Sequence, residues 1–102
     1  MVLCTFVSPF RADRERVRAL LLEGRFFEIH VDCDLSVCMR RDAKGLYQKA
    51  LQGEIPSFTG ISSPYEAPER PEMRVETDVY TPSEIVEQVL ARLRHEGIVR
   101  SA

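Results

Sequence analysis

Residues 44–71, KGLYQKALQGEIPSFTGISSPYEAPERP, constrain the fold most, because they combine turn-forming residues with aromatic side chains. This stretch holds three of the five glycines and four of the six prolines in the chain. So many turn formers would interrupt a regular core element, whereas a plain linker would not need Tyr47, Phe58 and Tyr65. Long irregular segments inside compact domains are usually functional. We therefore predict a lid over a ligand site, defined here as residues 43–71.

Apolar patterning outside the lid predicts strands that alternate with helices. Residues 2–7, VLCTFV, form an unbroken apolar run, which is typical of a central parallel strand buried on both faces. The expected strands are 2–7, 25–32 and 73–78, and the expected helices are 10–22, 35–41 and 81–97. Alternation of this kind indicates an α/β fold, a parallel sheet with flanking helices and right-handed crossovers. The predicted core is residues 1–42 and 72–97.

Capping residues give the expected starts of the three helices. Ser8 precedes Pro9, so we expect Ser8 to cap the first helix, with Pro9 at its first position. Asp34 is expected to cap the second helix. Thr81 and Glu84 have the spacing of a capping box at the start of the third.

The carboxyl ends of parallel strands usually carry the ligand site of such a sheet. In this chain those ends are Ser8, residues 32–34 and residues 78–81, and the lid departs from the same edge. A lid with cations, among them Lys44 at its first turn, and aromatic side chains suits an anionic, planar ligand.

Length and composition restrict the class of protein. A chain of 102 residues forms one domain at most. The net charge is −2 at a pI near 5.7, which does not favour nucleic acid as a partner. Arginines cluster in residues 11–18, but the interleaved Asp13 and Glu15 favour a solvated helix face. The N-terminal apolar run is too short for a signal peptide or a membrane span.

Three cysteines, an odd number, fit a reducing compartment better than a disulfide framework, so we expect a cytoplasmic protein. His30, Cys33 and Cys38 have the spacing H-x2-C-x4-C, which invites a zinc interpretation. Structural zinc needs four ligands, and no fourth is evident in the sequence. We therefore predict packing roles for these side chains and no metal site.

The stretch RDAKGLYQKALQGEIPSFTGISSPYEAPE, residues 41–69, resembles the adenylylsulfate kinase family at every fixed position of the pattern R-D-x-K-G-L-Y-x-x-A-x-x-G-x-x-x-x-F-T-G-x-x-x-x-Y-E-x-P. The segment FVSPFRADR, residues 6–14, also resembles that family. The resemblance implies a P-loop-NTPase-like fold of the nucleotide kinase type. It also implies ATP-dependent phosphorylation, with Mg²⁺, of the ribose 3′-hydroxyl of adenosine 5′-phosphosulfate (adenylyl sulfate), giving phosphoadenosine phosphosulfate in sulfate assimilation.

One family feature is not found in these residues. The family opens with the phosphate-cradling loop G-x-x-x-x-G-K-[ST], and none of the five glycines begins such a pattern. We therefore expect the chain to be the C-terminal half of a kinase, inactive on its own. The expected partners are a second copy or the other half, and a sulfate adenylyltransferase fused to the parent protein or associated with it.

The resemblance assigns adenylyl sulfate binding to the Val7 and Ser8 backbone and to the side chains of Lys44, Ser57 and Phe58. Phe58 would stack on the adenine, although a ring packed into its own domain is the alternative. Lys44 taken alone would be a solvated lysine. Ser8 is the catalytic candidate, as a phosphoserine proposed in some family members. No neighbouring base is present to activate its hydroxyl, so we expect Ser8 to position substrate.

The ATP base is assigned by the same resemblance to Arg41, Tyr80 and Ile85. A guanidinium plane packs well on an aromatic face, although a surface charge on a short helix is the alternative for Arg41. Tyr80 and Ile85 match the family by position and not by residue type. Three functions stay open at this point, namely a kinase half, a nucleotide-binding module without chemistry, and an inert fragment.

The family's sheet order, 2-3-1-4-5, carries one further expectation. Residues 2–7 would be its third strand and residues 25–32 its fourth, with an absent strand between them. Apolar strand edges left open in this way seek a partner. A stable form is therefore expected to pair these two strands directly or to associate with another chain.

Overall fold

A computed structural model of the chain describes residues 1–42, 44–61 and 63–100. Residues 43 and 62, both within the predicted lid, and the last two residues lie outside the described ranges. The elements follow the order α1, β1, α2, α3, β2 and α4. Their bounds are α1 Arg11–Ala19, β1 Ile29–Asp32, α2 Leu35–Arg41, α3 Leu46–Leu51, β2 Met73–Glu76 and α4 Pro82–His95.

The sheet consists of β1 and β2, which run parallel with Ile29 opposite Met73 and Asp32 opposite Glu76. The Thr77 N–H donates to the Asp32 carbonyl at 2.9 Å, so the pairing continues past the carboxyl ends of both strands. Val75 of β2 is only 2% exposed. The two strands that the family's sheet order makes neighbours are therefore neighbours in this chain.

Two predicted caps are confirmed. The Asp34 carboxylate accepts from the Ser36 N–H at 3.2 Å, so α2 begins where its sequence predicted. At α4 the Thr81 hydroxyl accepts from the Glu84 N–H at 3.2 Å and the Glu84 carboxylate accepts from the Thr81 N–H at 3.0 Å. Both halves of the capping box are therefore present, and two orphan N–H groups are satisfied.

The predicted cap of α1 is wrong. Phe10 occupies the N-cap position without a side-chain hydrogen bond, and Ser8 has a positive φ of 39°. The N-terminus of α1 is satisfied from the lid, because the Glu66 carboxylate accepts from the Arg11 N–H at 2.8 Å. The Glu66 carboxylate therefore caps α1, a role that was expected of the Ser8 hydroxyl. The helix also ends at Ala19, three residues earlier than its apolar pattern suggested.

The predicted strand at residues 2–7 is wrong for the chain by itself. These residues adopt no regular secondary structure and are exposed, with Phe6 at 84% and Val7 at 66%. A strand needs a neighbour, and within the described residues β1 pairs with β2 alone. Direct pairing of residues 2–7 with β1, one of the two expected ways to close the sheet, is therefore not seen.

Little of the apolar surface is covered. Among the described residues only Ala50 and Val75 are buried hydrophobic side chains, and Val17, Leu20 and Leu21 of the α1 region are all about half exposed or more. The radius of gyration is 15.7 Å, whereas a compact domain of this length has about 13 Å. No helix in the described ranges has the length and apolar character that a membrane crossing requires.

Candidate functional site

The carboxyl ends of β1 and β2 form a charged edge. Asp32 accepts from the Arg74 Nε at 2.7 Å, and the Asp34 N–H lies 3.5 Å from the Asp78 carboxylate. Of the three predicted strand ends, those of β1 and β2 therefore lie at one edge, and they bring acidic residues together.

Arg41 reaches this edge from the last turn of α2. Its Nη2 donates to the Thr77 carbonyl at 2.8 Å, and its Nη1 lies 4.0 Å from the Cys33 sulfur. The guanidinium is therefore held against the end of β2. Tyr80, 41% exposed, follows the same strand, and Ile85 is half-buried in the first turns of α4.

The lid begins with a tight turn that Asp42 organises. Its carboxylate accepts from the Tyr47 N–H at 3.0 Å and from the Gln48 N–H at 3.1 Å, which satisfies the start of α3. Gly45 has φ of 68°, a conformation that strains any residue with a Cβ. Lys44 stands exposed on this turn. Asp42 and Gly45 therefore fix the backbone from which Lys44 projects.

Phe58 packs against Tyr47. The two ring centroids are 5.0 Å apart with planes at 72°, an edge-to-face arrangement. The Phe58 carbonyl accepts from the Ile61 and Ser63 N–H groups, each at 3.0 Å, which closes the turn around it. Ser57, before it, is exposed with φ of 55°. The ring is therefore held in one orientation by α3 and by its own turn.

The last part of the lid is docked on the start of α1. The Glu66 N–H donates to the Pro9 carbonyl at 2.7 Å, and Arg11 Nε donates to the Ala67 carbonyl at 2.8 Å. Arg14 donates to the Ser8 carbonyl at 2.6 Å and to the Glu66 carbonyl. These contacts bring Ser8 and Glu66 together, although the two residues are more than fifty positions apart in the chain.

Tyr65 fills the space beside this docked segment. Its ring stacks on His30 of β1, with centroids 6.1 Å apart and planes at 27°. The Arg14 guanidinium carbon lies 5.8 Å from the centre of the same ring, within cation–π range. His30 therefore packs on the lid, as a packing role predicts.

A groove lies between α2 and α3 on the outer side of the lid turn. Its volume is about 520 Å³, and it is wide open to solvent. The side chains that line it are Ser36, Met39, Arg40, Asp42, Tyr47, Gln48 and Leu51. Of the predicted site residues none lines this groove, so we do not assign it to a substrate.

Two cysteines and a tyrosine form a cluster behind the lid turn. Burial raises the pKa of the Cys38 thiol, and a hydrogen bond with Cys33 raises it further. Burial likewise raises the pKa of Tyr47, and a hydrogen bond with Cys38 adds to the shift. Within the described ranges no three histidine, cysteine or carboxylate side chains form a group that could hold a metal ion.

An ion-pair cluster joins α1, the residue before β1 and the residue after the lid. Arg18 donates two hydrogen bonds to Glu72 at 2.9 and 2.8 Å, and the Glu28 N–H donates to Glu72 at 2.6 Å. Partial burial acts to raise the pKa of Glu72, but these hydrogen bonds outweigh it and lower that pKa below its usual range. The same bonds raise the pKa of Arg18.

Sequence reasoning missed the residues that hold the site in place. Each of these side chains makes a hydrogen bond to a group outside its own element. They are Arg14, Asp42, Glu66 and Glu72. Asp42 and Glu66 are fixed positions of the family pattern, so the sequence did indicate that these two residues matter. Arg14 and Glu72 carried no local signal, because their partners are set by the tertiary fold.

Comparison with known proteins identifies the chemistry that such a site serves elsewhere. The adenylyl-sulfate kinase of Acaryochloris marina is 55% identical over 100 residues, which are 98% of this chain and 49% of that protein. The bifunctional enzyme NodQ of Azospirillum brasilense is 50% identical over 101 residues, which are 99% of this chain and 16% of that protein. The chain spans about half the length of the curated single-function kinase it matches.

Among solved structures, the APS kinase of Mycobacterium tuberculosis, determined in complex with AMPPNP and APS, superimposes with a TM-score of 0.78 at 40% identity. The match covers 85% of this chain and 51% of that one. The fold is accordingly the α/β, P-loop kinase fold of these enzymes. The family described as adenylylsulphate kinase matches residues 1–76, and the chain therefore belongs to that family.

Proposed function

We propose that the chain is the C-terminal half of an adenylylsulfate kinase, with a core of residues 1–42 and 72–97 and a lid of residues 43–71. The reaction is transfer of the γ-phosphoryl group of ATP to the 3′-hydroxyl of adenosine 5′-phosphosulfate, giving phosphoadenosine phosphosulfate. The observation that carries this proposal is the lid, which has the complete family pattern. It is docked through Glu66 on Pro9 and the start of α1, and it is linked through Arg14 to the Ser8 carbonyl. A relative solved with AMPPNP and APS supports the choice of ligands.

In this proposal the lid and Ser8 form the platform for adenylyl sulfate. Phe58 stacks on the adenine, and its orientation is restrained by Tyr47 at 5.0 Å. Ser57 lies beside the same base, and Lys44 places an exposed positive charge on the turn before α3. The Val7 and Ser8 backbone completes the platform, with the Ser8 carbonyl fixed by Arg14.

The role we assign to Ser8 is positioning, not covalent catalysis. Its backbone carbonyl is engaged by the Arg14 guanidinium at 2.6 Å, and φ of 39° is an uncommon conformation for serine. A phosphoserine at this position would need a base near the hydroxyl. The described contacts of Ser8 involve its carbonyl and supply no such base.

The ATP base lies in our proposal between Arg41 and the β2–α4 turn. The Arg41 guanidinium is anchored on the Thr77 carbonyl at 2.8 Å, which leaves a planar cation at the carboxyl edge of the sheet. Tyr80 and Ile85 follow at the same turn. Planar guanidinium groups pack favourably on aromatic bases.

Magnesium enters this proposal with the nucleotide. Mg²⁺ in kinases is usually held by one or two carboxylates together with substrate phosphates. The described residues contain no group of three potential ligands, so they do not form a metal centre of their own. The contribution of this chain is to bind and orient the acceptor and the base of ATP.

Phosphoryl transfer depends on positioning and on neutralisation of phosphate charge. The 102 residues contain no G-x-x-x-x-G-K-[ST] pattern, so we propose that the chain alone binds without catalysing. A module that binds adenylyl sulfate but performs no chemistry is the second candidate, and an inert fragment the third. The exposed apolar residues 2–7 favour association with the phosphate-loop half or with a second copy.

We place the parent protein in the cytoplasm. The match to a bifunctional relative is compatible with a parent that is fused to a sulfate adenylyltransferase.

Calorimetric titration of the chain with adenylyl sulfate tests the proposed platform. We expect saturable binding that adenosine displaces only at a higher concentration, because adenosine keeps the adenine that stacks on Phe58 but lacks the charge that Lys44 contacts. Absence of any binding would contradict both the kinase-half and the binding-module proposals and leave the inert fragment.

A further inference from the structure

Cys33 and Cys38 flank the start of α2 in positions that bring their side chains together. Asp34 is the N-cap, so Cys33 is the residue before the cap and Cys38 is the fourth residue of the helix. Side chains at these two positions regularly meet across the first turn of a capped helix. The cap itself is well made, with the Cys38 N–H on the Asp34 carbonyl at 3.0 Å.

Two features of the surroundings favour reaction of these thiols, namely a neighbouring cation and access to solvent. Cys38 interacts with both Cys33 and Tyr47, and each interaction contributes to the shift of its pKa. The Arg41 guanidinium lies 4.0 Å from the Cys33 sulfur. Both cysteines are partly exposed, and neither is in a disulfide. A third ligand for a metal ion is absent from the described residues.

We propose that Cys33 and Cys38 are a modification site, at which a peroxide converts the two adjacent thiols into a reversible intramolecular disulfide. This inference rests on the geometry of α2 and not on the proposed kinase function.

The chemistry proceeds in two balanced steps. With hydrogen peroxide, the Cys33 thiolate attacks one oxygen, the O–O bond breaks, and the products are a sulfenic acid on Cys33 and hydroxide, which takes the Cys38 proton and becomes one water. The Cys38 thiolate then attacks the Cys33 sulfur, the S–O bond breaks, and the hydroxide leaves as a second water with the proton that Cys33 had released to solvent. The two sulfurs together lose two electrons, which the peroxide gains.

The surroundings assign the order of these steps. The thiolate is the species that attacks, and the raised pKa of Cys38 keeps that thiol protonated at neutral pH. Cys33 beside Arg41 is therefore the first sulfur oxidised, and Cys38 is the resolving one. A dithiol reductant reverses the change by thiol–disulfide exchange.

Peptide mapping of the full chain tests the site directly. Trypsin cleaves after Arg25 and Arg40 and releases residues 26–40 with both cysteines in one peptide, whereas Cys4 leaves in residues 1–11. After brief treatment with hydrogen peroxide and alkylation with iodoacetamide, we expect the 26–40 peptide to lose the mass of two hydrogen atoms and to carry no alkyl group. Dithiothreitol before alkylation should restore two alkyl groups.

Two comparisons make the result specific. In guanidinium chloride the helix start is lost, so the disulfide should form more slowly than in the folded chain. In Cys33→Ser the resolving thiol has no partner, and residues 26–40 should keep one alkylatable cysteine at the same peroxide dose. The proposal is overturned if both cysteines of the native chain stay alkylatable while Cys4 is oxidised. Equal rates in folded and denatured chains, or disulfides that join Cys4 or a second chain, would overturn it equally.

Discussion

The Glu66 carboxylate caps α1 from fifty-five residues away, accepting the Arg11 N–H at 2.8 Å. Such a bond satisfies one of the orphan N–H groups at a helix start, and here it also fastens the lid to the core. The lid and the first helix therefore stabilise each other.

Substitution at Glu66 tests this coupling. Glu66→Ala removes the acceptor and should lower the free energy of unfolding by about 1 kcal/mol, measured by urea denaturation. Glu66→Gln keeps an oxygen that can accept the Arg11 N–H, so its loss should be smaller. Hydrogen exchange at residues 11–14 should rise in the alanine variant. Equal stability of all three proteins would show that the lid is not fastened by this bond.

Phe58 is the residue we expect to dominate adenylyl sulfate binding. Stacking on a base is worth about 1–3 kcal/mol in nucleic-acid systems, so Phe58→Ala should weaken binding roughly ten- to hundred-fold. Because Phe58 also packs on Tyr47, the matched control is Phe58→Leu, which keeps apolar bulk without a flat face. Stacking predicts that both variants bind weakly. Recovery of affinity in the leucine variant, or unchanged affinity in the alanine variant, would assign Phe58 to lid packing.

Catalysis by the chain alone is expected to be undetectable. With ATP, Mg²⁺ and adenylyl sulfate present, the purified 102 residues should form no phosphoadenosine phosphosulfate, because they contain no phosphate-loop pattern. The matched control is a complete kinase of the family assayed in the same buffer. Product formation that copurifies with the chain would contradict this expectation.

Acid should unfold the chain partly through Glu72. Its pKa is lowered in the folded state because the hydrogen bonds from Arg18 and the Glu28 N–H outweigh its desolvation. A lowered folded pKa stabilises the fold fully above the ordinary glutamate value, roughly 4.3, and this stabilisation is lost as pH falls through the lower folded value. Glu72→Gln should therefore flatten the fall in stability below about pH 4.3.

The control for this pH dependence is Glu69→Gln. The Glu69 side chain is 75% exposed and lies 3.9 Å from Arg11. Its substitution should therefore leave the fall in unfolding free energy at acidic pH (the acid limb) unchanged. Stability measured by urea denaturation from neutral to acidic pH compares the two variants. Identical acid limbs for wild type and Glu72→Gln would remove Glu72 from the explanation.

Residues 2–7 should make the isolated chain prone to association. Met1, Val2, Leu3 and Phe6 are each more than 80% exposed, and apolar segments of this kind seek cover. Size-exclusion chromatography should show concentration-dependent association, reduced in Phe6→Ser, and residues 2–7 should exchange amide hydrogens rapidly in dilute samples. A rigid monomer with residues 2–7 well protected would contradict the prediction.

The sequence predicted correctly those helix starts whose capping partners lie within a few residues. Thr81 and Glu84 are three residues apart and cap α4 as their spacing indicates, and Asp34 caps α2 with Ser36 two residues on. Residues 2–7 failed for the opposite reason, since an apolar run becomes a strand only when a neighbour satisfies its backbone. Ser8 failed as a cap because Glu66 accepts the Arg11 N–H instead.

For the candidate site, the lid pattern predicted which residues belong to the site but not the contacts that position them. The Asp42 bonds to the Tyr47 and Gln48 N–H groups, and the Tyr47 contact with Phe58, depend on how the turn folds. Whether Arg41, Tyr80 and Ile85 surround a base stays a prediction.

The parallel register of the sheet has a kinetic consequence. Ile29 pairs with Met73, forty-four positions further on, so every sheet hydrogen bond requires prior closure of a loop that includes the whole lid. The entropy of closure grows only as the logarithm of loop length, about 0.6 kcal/mol for each doubling. The self-capped helix α4 needs no such closure and can form early, whereas β1 and β2 must meet by diffusion. Shortening or lengthening the lid should therefore shift the folding rate only slightly. If the lid docks early on α1, the closure of one long loop is replaced by the closure of two shorter loops.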